Sequence, residues 1–469
     1  MAAEVPLRLS PAASIWGDAG LDPAALARLD LSGSEPGLRS SFAVSTAAQA
    51  SLAVAALAAA EIGKARNGVE QRVRVDLVDA ALECTGRFTL DGVAPEAWDK
   101  VAGLYPCGPS ERREWVRLHT NFAHHRDGLL RLIGLPEGPN TTREQVAGAL
   151  ASWRADTLED QAAERALVVA RLRSFDEWDR HPQSAAVAAL PLVEIERIGD
   201  AAPLAWPELA PAAPPLEGIR VLELTRILAG PVAGRTLAAY GADVLLVNSP
   251  KLPNIDAIAD TSRGKRSALA DLRDPSDRAA FAAALASAHV MLQGYRPGGI
   301  AALGFGPDAV AASRPGIVYV SLSAYGRSGP WATRRGFDSL VQTAAGFNDA
   351  EGKASGLAEP KALPMQVLDM ASAFLLAFGA EAALLRQRRE GGSWHVQVSL
   401  ARTALWLRSL GRLADGFTAA KPDFASRMEA SDSGFGRLLA VRHAARFSST
   451  PPAYRRPSVR PGTDRLAWD

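Results

Sequence analysis

Only two cysteines, Cys84 and Cys107, occur in 469 residues. That excludes a disulfide framework and fits a chain kept in a reducing cytoplasm. Neither sits at metal-ligand spacing, so both read as ordinary buried residues. The seven histidines are no better placed. His124 and His125 are adjacent rather than four apart, and His395 lies on a strand, so surface or packing roles are expected and no metal site. Charge of one sign is also missing: the formal net charge is +1, which gives no reason to expect a nucleic-acid partner. No uncharged apolar run reaches the roughly 18 residues of a membrane span. The Ala-rich stretch 51–60 is too short to cross a bilayer and too far in to be a signal peptide. Gly-x-Gly-x-x-Gly is absent as well, and Asn248 stands where an acidic residue would hold a ribose, which argues against a nicotinamide-dependent enzyme.

What is present is a βαβ unit. LEGIRVLELTRILAGPVAGRTLAAYG at 216–241 is followed directly by ADVLLVNSP. Ile219 to Leu224 read as a buried strand, and Pro231 is suited to be the first residue of a helix that ends at Gly241. Asp243 to Val247 then form a second strand, and such a unit needs a parallel sheet with a right-handed crossover. A helix at 276–287 and strands at 289–293 and 315–321 extend it into a doubly wound sheet. Upstream, AAPLAWPELAPAAPP at 201–215 is the natural linker. Thr142 to Arg173 show helical spacing at Val146, Leu150 and Trp153.

The segment 216–405 resembles the family III CoA-transferases (the CaiB/BaiF family). The likeness rests on RVLELTRILAGP, on TSRGKRSALADLRDP at 261–275, on GYRPGGIAALGFGP at 294–307, and on SAYGRSGPWATRRGFDSLVQTAAGF at 323–347. It implies an α/β fold in which a Rossmann-like, doubly wound parallel domain binds CoA and a smaller helix-rich α/β domain accompanies it. It also implies an acyl-CoA donor and a small carboxylic acid acceptor, no permanently bound cofactor, and a homodimer whose arrangement a fused chain can partly supply itself.

In this family one aspartate attacks the acyl-CoA thioester and passes through an anhydride to an aspartyl-CoA thioester. The match is Asp369, 31 residues beyond Asp338 of the GFD triplet. Asp369 precedes an apolar helix over 371–385, whose positive end can face its charge, so on the residues alone it reads equally as a helix cap. Asp338 is either catalytic support or a structural acceptor. For CoA, the resemblance points to Arg226, Leu228 and Ala229 in the first loop, Arg263, Lys265 and Arg266, Tyr295 and Arg296, and Arg335. Four positions depart from the family: Leu368 and Ala373 replace glycines beside the aspartate, Gly294 replaces Asn, and Asn248 replaces Glu. The racemase branch carries His where this chain has Phe337, which disfavours racemisation. An acyl-CoA racemase or isomerase, or a CoA-binding protein without catalysis, stays as an alternative.

One further pattern spans the chain. NGVEQRVRVDLVDAAL from Asn67 aligns without gaps with EGGSWHVQVSLARTAL from Glu390, an offset of 323 residues, and Ala-rich helices precede both. Thr46 then falls opposite Asp369. Residues 1–200 thus read as a helix-rich domain like a degenerate second half of the family. After the linker come the CoA-binding domain at 216–405 and a C-terminal return segment at 406–469.

Overall fold

Apolar alternation sets the architecture. Val221, Val290 and Leu292 face one core while Leu222, Met291 and Tyr319 face another, as period-two side chains of a sheet buried on both faces must. The computed structural model describes residues 9–468 except 110 and 112. Its main sheet contains β1 (Glu194–Gly199), β2 (Arg220–Leu224), β3 (Asp243–Asn248), β4 (Arg266–Leu269), β5 (Val290–Gln293), β6 (Val318–Ser323) and β7 (Ser393–Ser399) in the order β4-β3-β2-β5-β6-β7-β1. Strands β2 to β7 run parallel, and β1 closes the edge antiparallel to β7. The fold is the expected doubly wound α/β sheet. Its order reverses between β2 and β5, where ligands of such sheets bind.

Four helices matter for the site: α1 (Val44–Asn67), α2 (Ala229–Ala239), α3 (Asp338–Ala344) and α4 (Val367–Glu390). Helix α4 is apolar all round because it is covered all round. Every residue from Val367 to Leu384 is buried, with α1 on one side and α2 and the sheet on the others. Each fully buried Phe or Leu there contributes about 1.5–3 kcal/mol. By length and composition α1 and α4 could each cross a membrane, yet both lie inside the protein core. In α2, Gly234 makes room beneath the helix: a Cβ there would stand 1.9 Å from Glu223 Oε2.

The segment 1–200 does not stand apart from this sheet, since it supplies the edge strand β1 and the helix α1. Its residues 103–171 build a smaller unit around their own core. Strands Gly103–Cys107, Glu114–Leu118 and Val169–Arg171 pair antiparallel beside the helices Ala123–Leu132, Arg143–Leu150 and Ala155–Glu164. The helical spacing over 142–173 therefore resolves into two helices and a strand. The 201–215 segment is coil, but Trp206 and Leu209 are buried. The return segment folds back onto the N-terminal region, with Gly436–Val441 on Phe88–Leu90 and Arg446–Phe447 on Val73–Arg74.

Candidate active site

The residues just past the carboxyl ends of β2 to β7 enclose one cavity of about 540 Å³. Arg226 comes after β2, Lys251 after β3, Arg273 after β4, Tyr295 and Arg296 after β5, Ala324 after β6 and Leu400 after β7. Between Arg226 and Leu228 the chain passes through Ile227 at φ 77°. A β-branched residue enters that region only at a cost, and such strain collects at functional loops.

Asp369 lies in the cavity wall with 9% of its surface exposed. It does not precede its helix. It is the third residue of α4, which begins at Val367. No side chain within that stretch caps the helix. Asp338 does so from 31 residues away, its Oδ2 accepting the Asp369 N–H at 2.9 Å, so the helix starts earlier than its own sequence suggests. Asp338 itself is fully buried, does not line the cavity, and takes a further hydrogen bond from Gln342 Nε2. Burial pushes its carboxyl up to about 7, against the opposing pull of these hydrogen bonds and of Arg117. Asp369 is pushed well above the ordinary carboxylate range, first by burial and then by the neighbouring Asp338. Two carboxyls this close titrate as a pair. Gly336 lets the preceding loop approach β6, where a Cβ would meet Ala324 Cβ at 2.6 Å. That close approach sets Phe337 into the cavity wall.

The cavity brings together Asp369, Arg226, Leu228, Ala229, Tyr295, Arg296 and Arg335. It does not include Arg263, Lys265 or Arg266. Lys265 is fully buried, with Nζ 2.8 Å from Glu223 Oε2 and 2.7 Å from the Pro231 carbonyl. Arg263 is 3% exposed, 2.7 Å from Asp260 and 2.6 Å from Glu429. Arg266 pairs with Asp243 at 3.0 Å. The resemblance points all three at CoA. In the structure they hold the sheet and the return segment together. The added bulk of Leu368 and Ala373 is likewise turned into the core and does not line the cavity.

Several wall residues were not anticipated. Lys251 and Arg273 could have been found as cations just past strand ends. Phe122, His124 and His125 could not, because they come from the distant segment 114–125. In the same segment His119 stacks on Phe337 with ring centroids 4.0 Å apart. Burial pushes His119 and His125 down to about 3, so both are neutral. Among the described residues no cluster of His, Cys, Asp and Glu could hold a metal ion. Both cysteines are free and buried.

The strand-end cavity lies largely within a segment that has relatives among known proteins. Residues 216–435, just under half the chain, match the family model "CoA-transferase family III". That segment is similar to CoA-transferase family III. An acyl-CoA transferase of Gibberella moniliformis is 32% identical over 304 residues, covering 61% of this chain and 53% of that protein. A succinate–glutarate CoA-transferase of Agrobacterium fabrum is 33% identical over 206 residues, covering 40% and 51%. A CaiB/BaiF family protein from Brucella suis, solved by crystallography, is 27% identical with a TM-score of 0.40, covering 48% and 65%. The chain spans about half the length of the curated relatives it matches. The wall residues Phe122, His124 and His125 lie outside the family III segment.

Proposed function

We propose that this chain is an acyl-CoA:carboxylate CoA-transferase in which Asp369 is the nucleophile. The observation that carries the reading is the place of Asp369: a carboxylate at the start of a buried helix, opening into a cavity whose other charged walls are mostly cationic. Arg226, Tyr295 and Arg296 in the cavity wall support the reading, since phosphates need cationic donors and adenine a flat surface to stack on.

The chemistry rests on that placement. The Asp369 carboxylate attacks the donor's thioester carbonyl, and the C–S bond breaks to release CoA thiolate and leave an acyl–aspartyl anhydride. The thiolate then attacks the aspartyl carbonyl, expelling the donor acid as carboxylate and forming the aspartyl-CoA thioester. An acceptor carboxylate repeats both steps in reverse, so no proton, oxidant or metal is consumed. Poor hydration keeps the carboxylate reactive and shields the anhydride and thioester from water. Asp338 acts as a positioning residue, holding the Asp369 amide and setting the charge state of the pair.

The test is intact-protein mass spectrometry after incubation with a panel of short acyl-CoA thioesters, with hydroxylamine or borohydride trapping. A CoA-sized adduct, or its trapped product, at Asp369 and absent from Asp369→Ala is the expected outcome. CoA binding with no mark on Asp369 from any donor overturns the transferase reading in favour of a non-catalytic CoA-binding protein.

A further inference from the structure

The cavity wall contributed by residues 122–125 carries an unmet demand for negative charge. The helix Ala123–Leu132 starts at Phe122 with no side chain capping its first amides. The His125 and Arg126 N–H groups both bond to the Phe122 carbonyl at 2.9 Å, which leaves the amides of Ala123 and His124 facing outward at the positive end of a three-turn helix. Phe122, His124 and His125 all line the cavity.

Beside this helix end, His125 is 6% exposed and its Nδ1 is buried without a hydrogen-bond partner. Its Nε2 lies 3.4 Å from Arg335 Nη1. A guanidinium only donates, so Nε2 is the acceptor and Nδ1 carries the proton of the neutral ring. A buried N–H left unpaired is unfavourable, and an incoming oxygen atom would relieve it.

Two guanidiniums flank the histidines. Arg226 stacks over the Phe122 ring with its Cζ 5.4 Å from the centroid, and its Nε is buried without a partner. Arg335 is anchored through Nη1 to the Ala166 carbonyl at 3.1 Å. Among the described residues neither arginine has a carboxylate partner. Both push the His124 and His125 rings further below the ordinary range, burial being the first cause. The carboxylates of the cavity are engaged elsewhere: Asp271 is 2.5 Å from Lys251, and Asp369 lies against Asp338.

We propose that the start of the helix Ala123–Leu132, with His125 beside it and Arg226 and Arg335 flanking it, is an anion subsite of the cavity that residues outside the family III segment help to build. The ligand presents phosphate or carboxylate oxygens. Given the transferase reading, on which the identity of the ligand rests, two sources supply them: the diphosphate of CoA, or a second carboxylate on the acyl group or acceptor acid.

Titration calorimetry and acceptor kinetics on the full chain separate the cases, comparing wild type with Arg335→Gln and Arg226→Gln variants of unchanged melting temperature. If the diphosphate is bound, CoA and pyrophosphate weaken about tenfold or more in the variants, while pantetheine is unaffected. If a second carboxylate is bound, CoA affinity holds, glutarate binding weakens, and kcat/KM for glutarate falls at least tenfold relative to butyrate. Either result supports the subsite. Variants that fold normally and alter none of these quantities overturn it. A wild type that binds pyrophosphate or glutarate through these arginines, yet transfers CoA from no donor, leaves the subsite standing and sinks the transferase reading instead.

Discussion

Helices α1 and α4 are both 24 residues long and are displaced by 323 residues at both ends. The elements after each helix keep the same spacing. The strand Val73–Asp76 ends where β7 ends, and the helices Leu77–Glu83 and Leu400–Ser409 begin together. Each strand lies parallel to an earlier one, Ser32 opposite Asp76 and Ser323 opposite Ser399. Even the helix starts agree. Glu35 Oε1 accepts the Thr46 N–H at 2.7 Å, as Asp338 Oδ2 accepts the Asp369 N–H at 2.9 Å. The units differ in the side chain at that third position and in what it faces. Asp369 opens into the cavity; Thr46 does not line it. The shared carboxylate therefore has a shared architectural task, tethering a helix start, while a carboxylate on the tethered residue is peculiar to the second unit. That difference agrees with the proposed reading, in which Asp369 does the chemistry and Asp338 supports it.

The largest expected effect removes the carboxylate that is peculiar to the second unit. Asp369→Asn keeps the size and the tethered amide but removes the nucleophile, so turnover falls by about 10³-fold or more in steady-state assays while the fold persists. Next comes the tether of the second unit. Burial raises the Asp338 carboxyl to about 7, against an ordinary value of about 3.9. The folded state thus binds the proton more tightly than the unfolded chain, and its contribution to stability is full below the unfolded value and is lost as pH rises towards 7. Wild type is expected to melt lower at pH 8 than at pH 5, and Asp338→Asn to flatten that trend. The same substitution removes the charge that raises Asp369, so the acid limb of kcat/KM moves to lower pH. A limb that stays in place, or moves up, breaks the coupling.

Much of this arrangement can be read from residues that are local to one another. The βαβ core, the strand-end loops and the spacing of the two units are carried by alternation, turn residues and a constant offset. Asp338 and Asp369 stand out by their separation. The start of α4 was not legible, because its cap is a side chain 31 residues upstream. Nor were the roles of Lys265 and Arg263, since a cation in a motif looks the same whether it faces a phosphate or a buried carboxylate such as Glu223. Least legible were Phe122 and His125: adjacent histidines in a helical context carry no sign that folding sets them beside Phe337, whose ring lies 6.2 Å from His125.

The smallest effect tests the first unit, where the tether has no chemistry to serve. Glu35→Ala removes the acceptor of the Thr46 N–H and of the Gly37 N–H at 3.1 Å. The loss of one half-buried helix cap costs about 1 kcal/mol, read as a lower urea midpoint with kcat/KM unchanged. The reverse experiment is sharper. Thr46→Asp recreates the acid pair of the second unit beside Glu35, where two carboxylates repel and neither faces the cavity. It should bring no CoA adduct at residue 46 and a further loss of stability that grows as pH rises and the pair ionises. Stability that instead increases with pH would mean that the start of α1 accommodates both charges, and the likeness between the two tethers would then stop at their geometry.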